Sequence, residues 1–252
     1  MVARALDLVS SYAVSVARGG SGMAVGTLGA RPERLLEIYE FEACPFCRKA
    51  REALSILDLD AMVYPCPKGG QRFRPDAIRR GGKAQFPWLV DPNAGVEMYE
   101  SDDIIRHLFT RYGDGQVPWT LSFAPLVMAT SALASLSRPL SGVRARPSRL
   151  PAQPLELWSF EASPYCRIVR DALCSLEIPY VLHNVAKGSP RRDAFVARSG
   201  KMQVPYLHDP NTGRGLFESA DIVAYLEQTY ALAASTARAG DAVASGGTRA
   251  SA

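Results

Sequence analysis

The chain has 252 residues, of which 47% are hydrophobic, and a formal net charge of +4. This length and composition suffice for one or two domains with buried cores. The positive charge comes from interspersed arginines rather than a basic run, so nucleic acid is not an expected partner. The odd number of cysteines, five, disfavours the disulfide framework of a secreted protein. We expect a cytoplasmic protein, with the plastid stroma or another reducing compartment as the alternative.

The N-terminal segment is rich in Ser, Ala and Arg, as transit peptides are, but similar residues recur near 135–142, where no targeting peptide can act. We therefore predict a short helix at about 5–17 that belongs to the folded unit. The uncharged segment 117–137 has a membrane-compatible length, yet two prolines interrupt it. A second short helix at about 127–137 is favoured over a membrane span, and no membrane association is expected.

An internal repeat is the most informative feature of the chain. Residues 36–48 match residues 155–167 at an offset of 119, and the similarity continues to Glu100-Ser101 and Glu218-Ser219, where the offset is 118. A repeat of this length indicates two units that each form a fold. The predicted organisation is an N-terminal helix and connector at 1–34, a first unit at 35–114, a helix and linker at 115–153, a second unit at 154–231 and a disordered tail at 232–252.

The pattern predicts the order βαβαββα in each unit, which is a short mixed sheet with helices on both faces. Pro45 suits a first helical turn, and Ser101 stands where a helix N-cap belongs. In the first unit we predict strands at 36–41, 61–64, 88–91 and 96–99, with helices beginning at Pro45, ending near Gly82 and beginning at Ser101. The second unit repeats these elements, with Pro164 and Ser219 at the helix starts.

A Cys-Pro-Phe-Cys motif at 44–47 opens the first predicted helix. A cysteine at a helix N-terminus lies among unpaired N–H groups that lower its pKa, so Cys44 is the predicted nucleophile. Cys47 follows one turn later and can resolve a mixed disulfide. No second motif or histidine cluster completes four zinc ligands, so redox chemistry is favoured and no metal is expected. Three residues add positive charge within two turns: Arg48, Lys49 and Arg51.

Glu100-Ser101 and Glu218-Ser219 begin the last predicted helix of each unit. Backbone N–H groups at a helix start bind an anion, and the adjacent glutamate can hold an ammonium group. The alternative is that these residues only cap a helix, as serines often do. Their recurrence after a proline in both units favours a binding site over capping alone.

The motifs at 44–47, 86–87 and 100–101 together resemble glutaredoxins and the N-terminal domain of glutathione S-transferases. The whole chain resembles tandem proteins with two such transferase N-terminal domains, and the first unit is also similar to type-two membrane-associated prostaglandin E synthase. The resemblance implies two thioredoxin-like domains. It further implies glutathione as co-substrate and glutathionylated or disulfide-bearing proteins as partners.

The resemblance also implies cis peptide bonds before Pro87 and Pro205, where the backbone would pair with glutathione. A strand-entry proline without a ligand is the alternative. The glutathione-binding residues that it implies are Phe86, Pro87, Glu100, Ser101 and Asp102 in the first unit and Ser163, Val204, Pro205, Glu218 and Ser219 in the second.

The second unit departs from the pattern, because Ser163 replaces the nucleophilic cysteine and cannot form a disulfide. We expect it to hydrogen-bond a glutathione thiolate or to line a site that only binds. A second unit also takes the place of the all-helical C-terminal domain of transferases, so no such domain and no conventional conjugation are expected. The lysine common before the active cysteine of glutaredoxins is missing, and its possible replacements are Arg79, Arg80 and Lys83.

The expected activity is glutathione-dependent thiol-disulfide exchange at Cys44, with Cys47 or a second glutathione resolving the intermediate. Two alternatives stay open: a binding module for glutathione or a protein, and a transferase or isomerase like the prostaglandin enzyme. The remaining cysteines are expected to be buried and unreactive: Cys66, Cys166 and Cys174.

Overall fold

The computed structural model describes residues 21–122 and 144–233. These residues form one mixed sheet of eight strands with seven helices. The predicted helices at 5–17 and 127–137, and nearly all of the predicted tail, lie outside the described residues. Within the described ranges, no helix has the length and apolar character that crossing a membrane requires.

Both units have the predicted order βαβαββα, which confirms two tandem α/β units. The first consists of β1 (Leu36–Glu40), α1 (Pro45–Ile56), β2 (Ala61–Pro65), α2 (Phe73–Gly81), β3 (Trp88–Asp91), β4 (Val96–Met98) and α3 (Ser101–Tyr112), followed by the short α4 (Trp119–Ser122). The second consists of β5 (Leu155–Ser159), α5 (Pro164–Ser175), β6 (Tyr180–Asn184), α6 (Arg192–Ser199), β7 (Tyr206–Asp209), β8 (Arg214–Phe217) and α7 (Ser219–Tyr230).

Local sequence explains where the helices begin and end. Pro45 is the first residue of α1, where its fixed φ fits a helix and its missing N–H is not needed. Ala50, Ala53 and Leu54 lie on one face of this helix and are completely buried in the core. Gly82 ends α2 with φ of 75°, a left-handed conformation that glycine adopts without a Cβ clash.

The two units share one continuous sheet because β2 and β6 pair along their edges. The strand order is β4-β3-β1-β2-β6-β5-β7-β8. The β2–β6 pair is antiparallel, and Met62 lies opposite Val181, its own counterpart in the repeat. An approximate twofold axis therefore passes through this pair and relates the two units. A single hydrophobic cluster contains residues of both units, so their cores are continuous.

The strand directions place the carboxyl ends of β1 and β5 at opposite ends of the sheet. β1 is parallel to β2, β5 is parallel to β6, and β2 and β6 are antiparallel. The helices that follow these strands, α1 and α5, consequently run in opposite directions side by side. The N–H of Glu42, just before α1, donates to Cys174 Sγ near the end of α5, so each helix begins beside the end of the other. With 12 residues in each helix, the two N-termini are separated by roughly 18 Å along the helix axes.

Connector segments also join the units. In the connector before β1, the N–H of Val25 donates to the carbonyl oxygen of Lys187 (2.9 Å) and the N–H of Gly26 to that of Ile56 (2.8 Å). In the linker before β5, the N–H of Ala145 donates in the same way to Lys68 (3.1 Å). Val25 and Ala145 thus bond the connector before each unit to the other unit, whereas Gly26 bonds to the unit that it precedes.

Candidate active site

The Cys44 thiol occupies the N-cap of α1. Its Sγ accepts a hydrogen bond from the backbone N–H of Cys47 at 3.3 Å, and its thiol donates to the carbonyl oxygen of Phe86 at 3.8 Å. The pKa of Cys44 is lowered, chiefly by a hydrogen bond from the Cys47 thiol, with the N–H groups of Cys47 and Phe46 assisting against the effect of burial. Cys44 is 4% exposed. Its surroundings therefore favour a thiolate that is nearly buried.

Cys47 has the opposite character. It is completely buried, and burial together with its hydrogen bond to Cys44 raises its pKa well above the ordinary value. A charged form inside an apolar cluster is costly, so the thiol keeps its proton. The pKa values of the two cysteines of the motif are thus shifted in opposite directions, downward for Cys44 and upward for Cys47.

The backbone beside the thiol has the predicted geometry, since the peptide bonds before Pro87 and Pro205 are both cis. In the first unit, the Phe86 carbonyl that precedes the cis bond is the one facing Cys44. The Phe86 ring also packs edge-on against Phe41, with 6.3 Å between the ring centroids. The segment Phe86–Pro87 that contains the cis bond, here called the cis segment, is therefore an immediate neighbour of the Cys44 thiol.

The last helix of each unit begins differently from the sequence-based prediction. Ser101 and Ser219 are the first helical residues rather than N-caps, and the cap positions belong to Glu100 and Glu218. These glutamates have φ values of 63° and 64°, and neither makes a side-chain cap hydrogen bond. A left-handed glutamate is uncommon, so propensity rules place the cap one residue too late.

The side chains of the two cap glutamates face the cis segment. The amide of Gln85 donates to Oε1 of Glu100 at 2.6 Å, and Gln203 donates to Glu218 in the second unit. Gln85 and Gln203 stand directly before the residue that precedes each cis proline. The predicted proline and glutamate-serine motifs are thereby brought together in both units.

Asp102 follows Ser101 in the first turn of α3, and its carboxylate pairs with the ammonium group of Lys49 on α1. The Lys49 side chain is buried, whereas that of Asp102 is 64% exposed. This pair links the first turn of α3 to α1. The equivalent position in the second unit is Ala220, so the contact exists only in the first.

The basic residues that the sequence assigns to the thiol are occupied elsewhere. Arg48 pairs with Glu52 at 3.1 Å and Arg51 with Glu161 at 3.0 Å, and both side chains are buried. Lys49 is bound to Asp102 as described above. Their charges are balanced by carboxylates within the protein, so the expectation that they act on Cys44 is corrected: hydrogen bonds from Cys47 are the main cause of its lowered pKa.

The candidates for the missing glutaredoxin lysine are likewise engaged. Arg79 pairs with Asp76, and Arg80 lies over Trp88 with 5.1 Å to the ring centroid. Lys83 lies over the Tyr99 ring at 5.6 Å.

Arg74 is a cation beside the cis segment that the sequence motifs did not indicate. Its guanidinium lies 4.7 Å from the centroid of the Phe86 ring, and Nη1 donates to the carbonyl oxygen of Cys66 at 2.8 Å. The N-caps of α2 and α6, Arg72 and Arg191, are related by the repeat offset of 119, so Arg74 corresponds to Asp193. This reversal of charge between the repeats is the signal that could have identified it.

The second unit has the same N-cap geometry and cis peptide bond as the first, with a serine hydroxyl in place of the Cys44 thiol. Ser163 is the N-cap of α5, and its Oγ accepts from the N–H of Cys166 at 3.3 Å. Cys166 is completely buried, and burial raises its pKa. Val204 precedes the cis bond at Pro205, as Phe86 does in the first unit.

The other two cysteines are buried. Burial raises the pKa of Cys66, and it does the same for Cys174, whose Sγ accepts from the N–H of Glu42 at 3.5 Å. All five cysteines are free thiols. The described residues contain no group of three or more His, Cys, Asp or Glu side chains arranged to hold a metal ion.

Comparison with known proteins gives the family. A model of the glutathione S-transferase N-terminal domain matches residues 38–116 and again 157–234. No curated protein matches the chain. Among solved structures, Bombyx mori glutathione transferase BmGSTD1 is 22% identical, over 33% of this chain and only 38% of that chain, with a TM-score of 0.30. Leishmania TDR1, a unique trimeric glutathione transferase, is 14% identical over 79% of this chain and 68% of that chain, with a TM-score of 0.27.

The two matches to the family model fall on the two structural units and together cover more than half of the chain. The chain therefore belongs to the glutathione S-transferase N-terminal domain family and carries two such domains in tandem.

Proposed function

We propose that this protein is a glutathione-dependent thiol-disulfide oxidoreductase with Cys44 as its nucleophile. The observation that carries the proposal is the Cys44 thiol at a helix N-cap, where Cys47 donates hydrogen bonds to it and the backbone before cis-Pro87 faces it. Such a thiol has a lowered pKa and therefore a larger reactive thiolate fraction at neutral pH. Membership of the family supports glutathione as co-substrate.

The residues around Cys44 match the charges of glutathione. The backbone of Phe86 and Pro87 can pair with the cysteinyl portion in the manner of an added strand. The N-terminus of α3 at Ser101 offers N–H groups to the γ-glutamyl carboxylate, and Glu100 offers a carboxylate oxygen to its ammonium group. We assign Arg74 to the remaining carboxylate, since its guanidinium lies against Phe86. The exposed carboxylate of Asp102 is a further contact at this helix start.

In the first step, the Cys44 thiolate attacks the glutathione sulfur of a mixed disulfide. A new S–S bond forms between Cys44 and glutathione as the original S–S bond breaks, and the released substrate thiolate takes a proton from water. The lowered pKa of Cys44 supplies the thiolate.

Two routes complete the cycle. A second glutathione thiolate can attack the bound glutathione sulfur, which releases oxidised glutathione and restores the Cys44 thiolate. Alternatively, Cys47 loses its proton and attacks the Cys44 sulfur, which releases glutathione and leaves a disulfide that two glutathione molecules then reduce. The raised pKa of Cys47 favours the first route.

The second unit is proposed to bind glutathione without turnover. Ser163 has the cap geometry of Cys44, and the cis bond at Pro205 and the Glu218-Ser219 pair are retained. A serine hydroxyl can donate a hydrogen bond to a glutathione thiolate but forms no S–S bond. The reaction as a whole uses reduced glutathione, which fits a reducing compartment such as the cytoplasm.

Reduction of a glutathionylated peptide by the full chain tests this function, with wild type compared with Cys44→Ser, Cys47→Ser and the control Cys66→Ser. We expect turnover in wild type and in both the Cys47→Ser and Cys66→Ser variants, and none in Cys44→Ser. Loss of turnover in Cys47→Ser would move the cycle to the second route. Glutathione binding without any Cys44-dependent turnover would refute the enzyme and support a binding module.

A further inference from the structure

Four buried charges form a closed ring at the seam between the units. Arg51 Nη2 lies 3.2 Å from Glu42 Oε2, and Arg51 Nε lies 3.0 Å from Glu161 Oε2. Arg170 Nε lies 3.0 Å from Glu42 Oε2, and Arg170 Nη2 lies 2.9 Å from Glu161 Oε2. No side chain of the ring is more than 3% exposed. Each unit contributes one glutamate and one arginine, at equivalent positions of the repeat.

The ring is attached to the turn that carries the nucleophile. The N–H of Cys44 donates to the carbonyl oxygen of Phe41 at 3.0 Å, which closes a turn with Glu42 at its first corner. The Glu42 carboxylate accepts two hydrogen bonds from Arg170, at 3.0 and 3.2 Å. Its backbone N–H donates to Cys174 Sγ at 3.5 Å. The second unit thus holds both the backbone and the side chain of this corner.

The orientation of this turn decides where Cys44 Sγ lies. The contacts of Sγ with the Cys47 N–H and the Phe86 carbonyl both require the turn at 41–44 to keep its position. A two-pronged arginine–carboxylate contact fixes orientation as well as distance, and in a buried setting water cannot replace it. Displacement of the corner would move the Cys44 thiol away from Cys47, whose hydrogen bonds lower the pKa of that thiol.

We propose that Arg170 of the second unit is a positioning residue for the Cys44 nucleophile of the first unit, acting through Glu42. The inference rests on the proposed role of Cys44. It gives the second unit a function in catalysis even though Ser163 has replaced its own nucleophile. The relation is reciprocal in form, because Arg51 of the first unit binds Glu161, two residues before Ser163.

The test measures the rate at which iodoacetamide alkylates Cys44 in the full chain as a function of pH, with peptide mass spectrometry to identify the modified cysteine. Arg170→Met removes the contact. Arg170→Lys keeps the charge of the ring but lacks the two-pronged geometry. The double variant Glu42→Gln/Arg170→Met removes one charge of each sign. Arg146→Met, which loses an exposed ion pair with Glu227, is the control.

We expect Arg170→Met and the double variant to alkylate Cys44 about tenfold more slowly at pH 7, with the profile shifted to higher pH, and Arg170→Lys to lose about threefold. The Arg146→Met profile should equal that of wild type. Wild-type profiles in Arg170→Lys and in whichever of the other two variants folds, as judged by circular dichroism, would overturn the proposal.

Turnover of the glutathionylated peptide separates this inference from the proposed function. A decrease in kcat with unchanged KM in Arg170→Lys supports positioning of the nucleophile rather than substrate binding. If wild type reduces no glutathionylated peptide while its Cys44 alkylation still depends on Arg170, the proposed function fails and the positioning role stands.

Discussion

The N-caps of α1 and α5 have almost the same geometry around different atoms. Cys44 has φ of −78° and ψ of 122°, and Ser163 has −74° and 119°. Each side chain accepts from the N–H three residues later at 3.3 Å. The N-cap geometry therefore depends on the turn, the following proline and the helix, and does not require a sulfur atom at the cap. A unit can therefore keep this N-cap geometry with a hydroxyl in place of the thiol, and in this chain Arg170 of the serine-containing unit also contacts Glu42, two residues before Cys44.

Among the changes considered, Arg170→Met should weaken the contact between the two units most, because it removes an arginine of the buried ring. The substitution removes one of the two arginines of the ring, which leaves Glu42 and Glu161 with Arg51 inside the ring. Longer contacts remain from Arg167 to Glu42 at 3.6 Å and from Arg48 to Glu161 at 3.8 Å. Removing one member of a buried ion pair typically costs about 3–5 kcal/mol of unfolding free energy, whereas an exposed pair contributes about 0–1 kcal/mol. Urea denaturation should show this difference between Arg170→Met and Arg146→Met. Equal losses in the two variants would mean that the ring contributes no more than a surface pair.

The difference in chemistry between the units can be reversed by Ser163→Cys in a Cys44→Ser background. The new thiol would accept the hydrogen bond that the Cys166 N–H now donates to Ser163 Oγ. It would be in the unit that also has the cis bond before Pro205. We expect reduction of a glutathionylated peptide to rise by roughly a hundredfold over Cys44→Ser alone. Ser163→Ala in the same background is the control and should stay inactive. No gain in the Ser163→Cys variant would show that the N-cap geometry alone does not make a reactive site.

Signals within each repeat were sufficient to predict the elements of the units. Pro45 and Gly82 mark a helix start and a helix end through properties of their own backbones, which need no tertiary context. The edge pairing of β2 with β6 has no such signal. Met62 and its neighbours in β2 are buried, but an apolar run has the same pattern whether the strand is covered by helices or paired with a second unit.

The buried ring of charges could not be predicted from the sequence either, although its four residues occupy equivalent positions in the repeat. Glu42 and Arg51 correspond to Glu161 and Arg170. Arg51 and Arg170 lie on helices, and the two glutamates lie just before those helices. Charged residues at such positions normally face solvent, so the pattern indicates exposed side chains unless the packing of the two units is known. The positive φ of Glu100 was missed for a related reason, because nothing in glutamate itself favours it.

The units also differ at the last residue of their first strand, where the first unit has Glu40 and the second has Ser159. Burial is the main cause that raises the pKa of Glu40 to about 7, from an ordinary value of 4.5. Between these values the folded protein holds a proton that the unfolded chain has lost, so this group makes stability fall as pH rises from 4.5 to 7. Glu40→Gln removes the effect. We expect the stability of the variant relative to wild type to increase over this range, on the order of 2 kcal/mol.

Urea denaturation of both proteins at pH 5, 6, 7 and 8 measures this difference. Glu161 has the opposite effect on the pH dependence of stability, because Arg170 and Arg51 lower its pKa to about 2 against the effect of burial. Its contribution is the same in wild type and variant, so it cancels when the two proteins are compared. A difference that stays constant with pH would show that Glu40 is ionised throughout.

The opposite charges of Arg74 and Asp193, which occupy equivalent positions in the two units, give the prediction with the smallest expected effect. Arg74→Asp gives the first unit the charge of the second at a point 4.7 Å from the Phe86 ring, next to Cys44. A carboxylate of glutathione would then meet a like charge, so we expect KM for the glutathionylated peptide to rise about tenfold with kcat nearly unchanged. Arg74→Lys should retain most of the wild-type KM. Asp193→Arg, in the unit without a nucleophile, should leave turnover unchanged but tighten glutathione binding measured by calorimetry in a Cys44→Ser background. If Arg74→Asp lowers kcat instead, Arg74 acts on the reacting thiol, and the two units differ in reactivity at this position rather than in affinity.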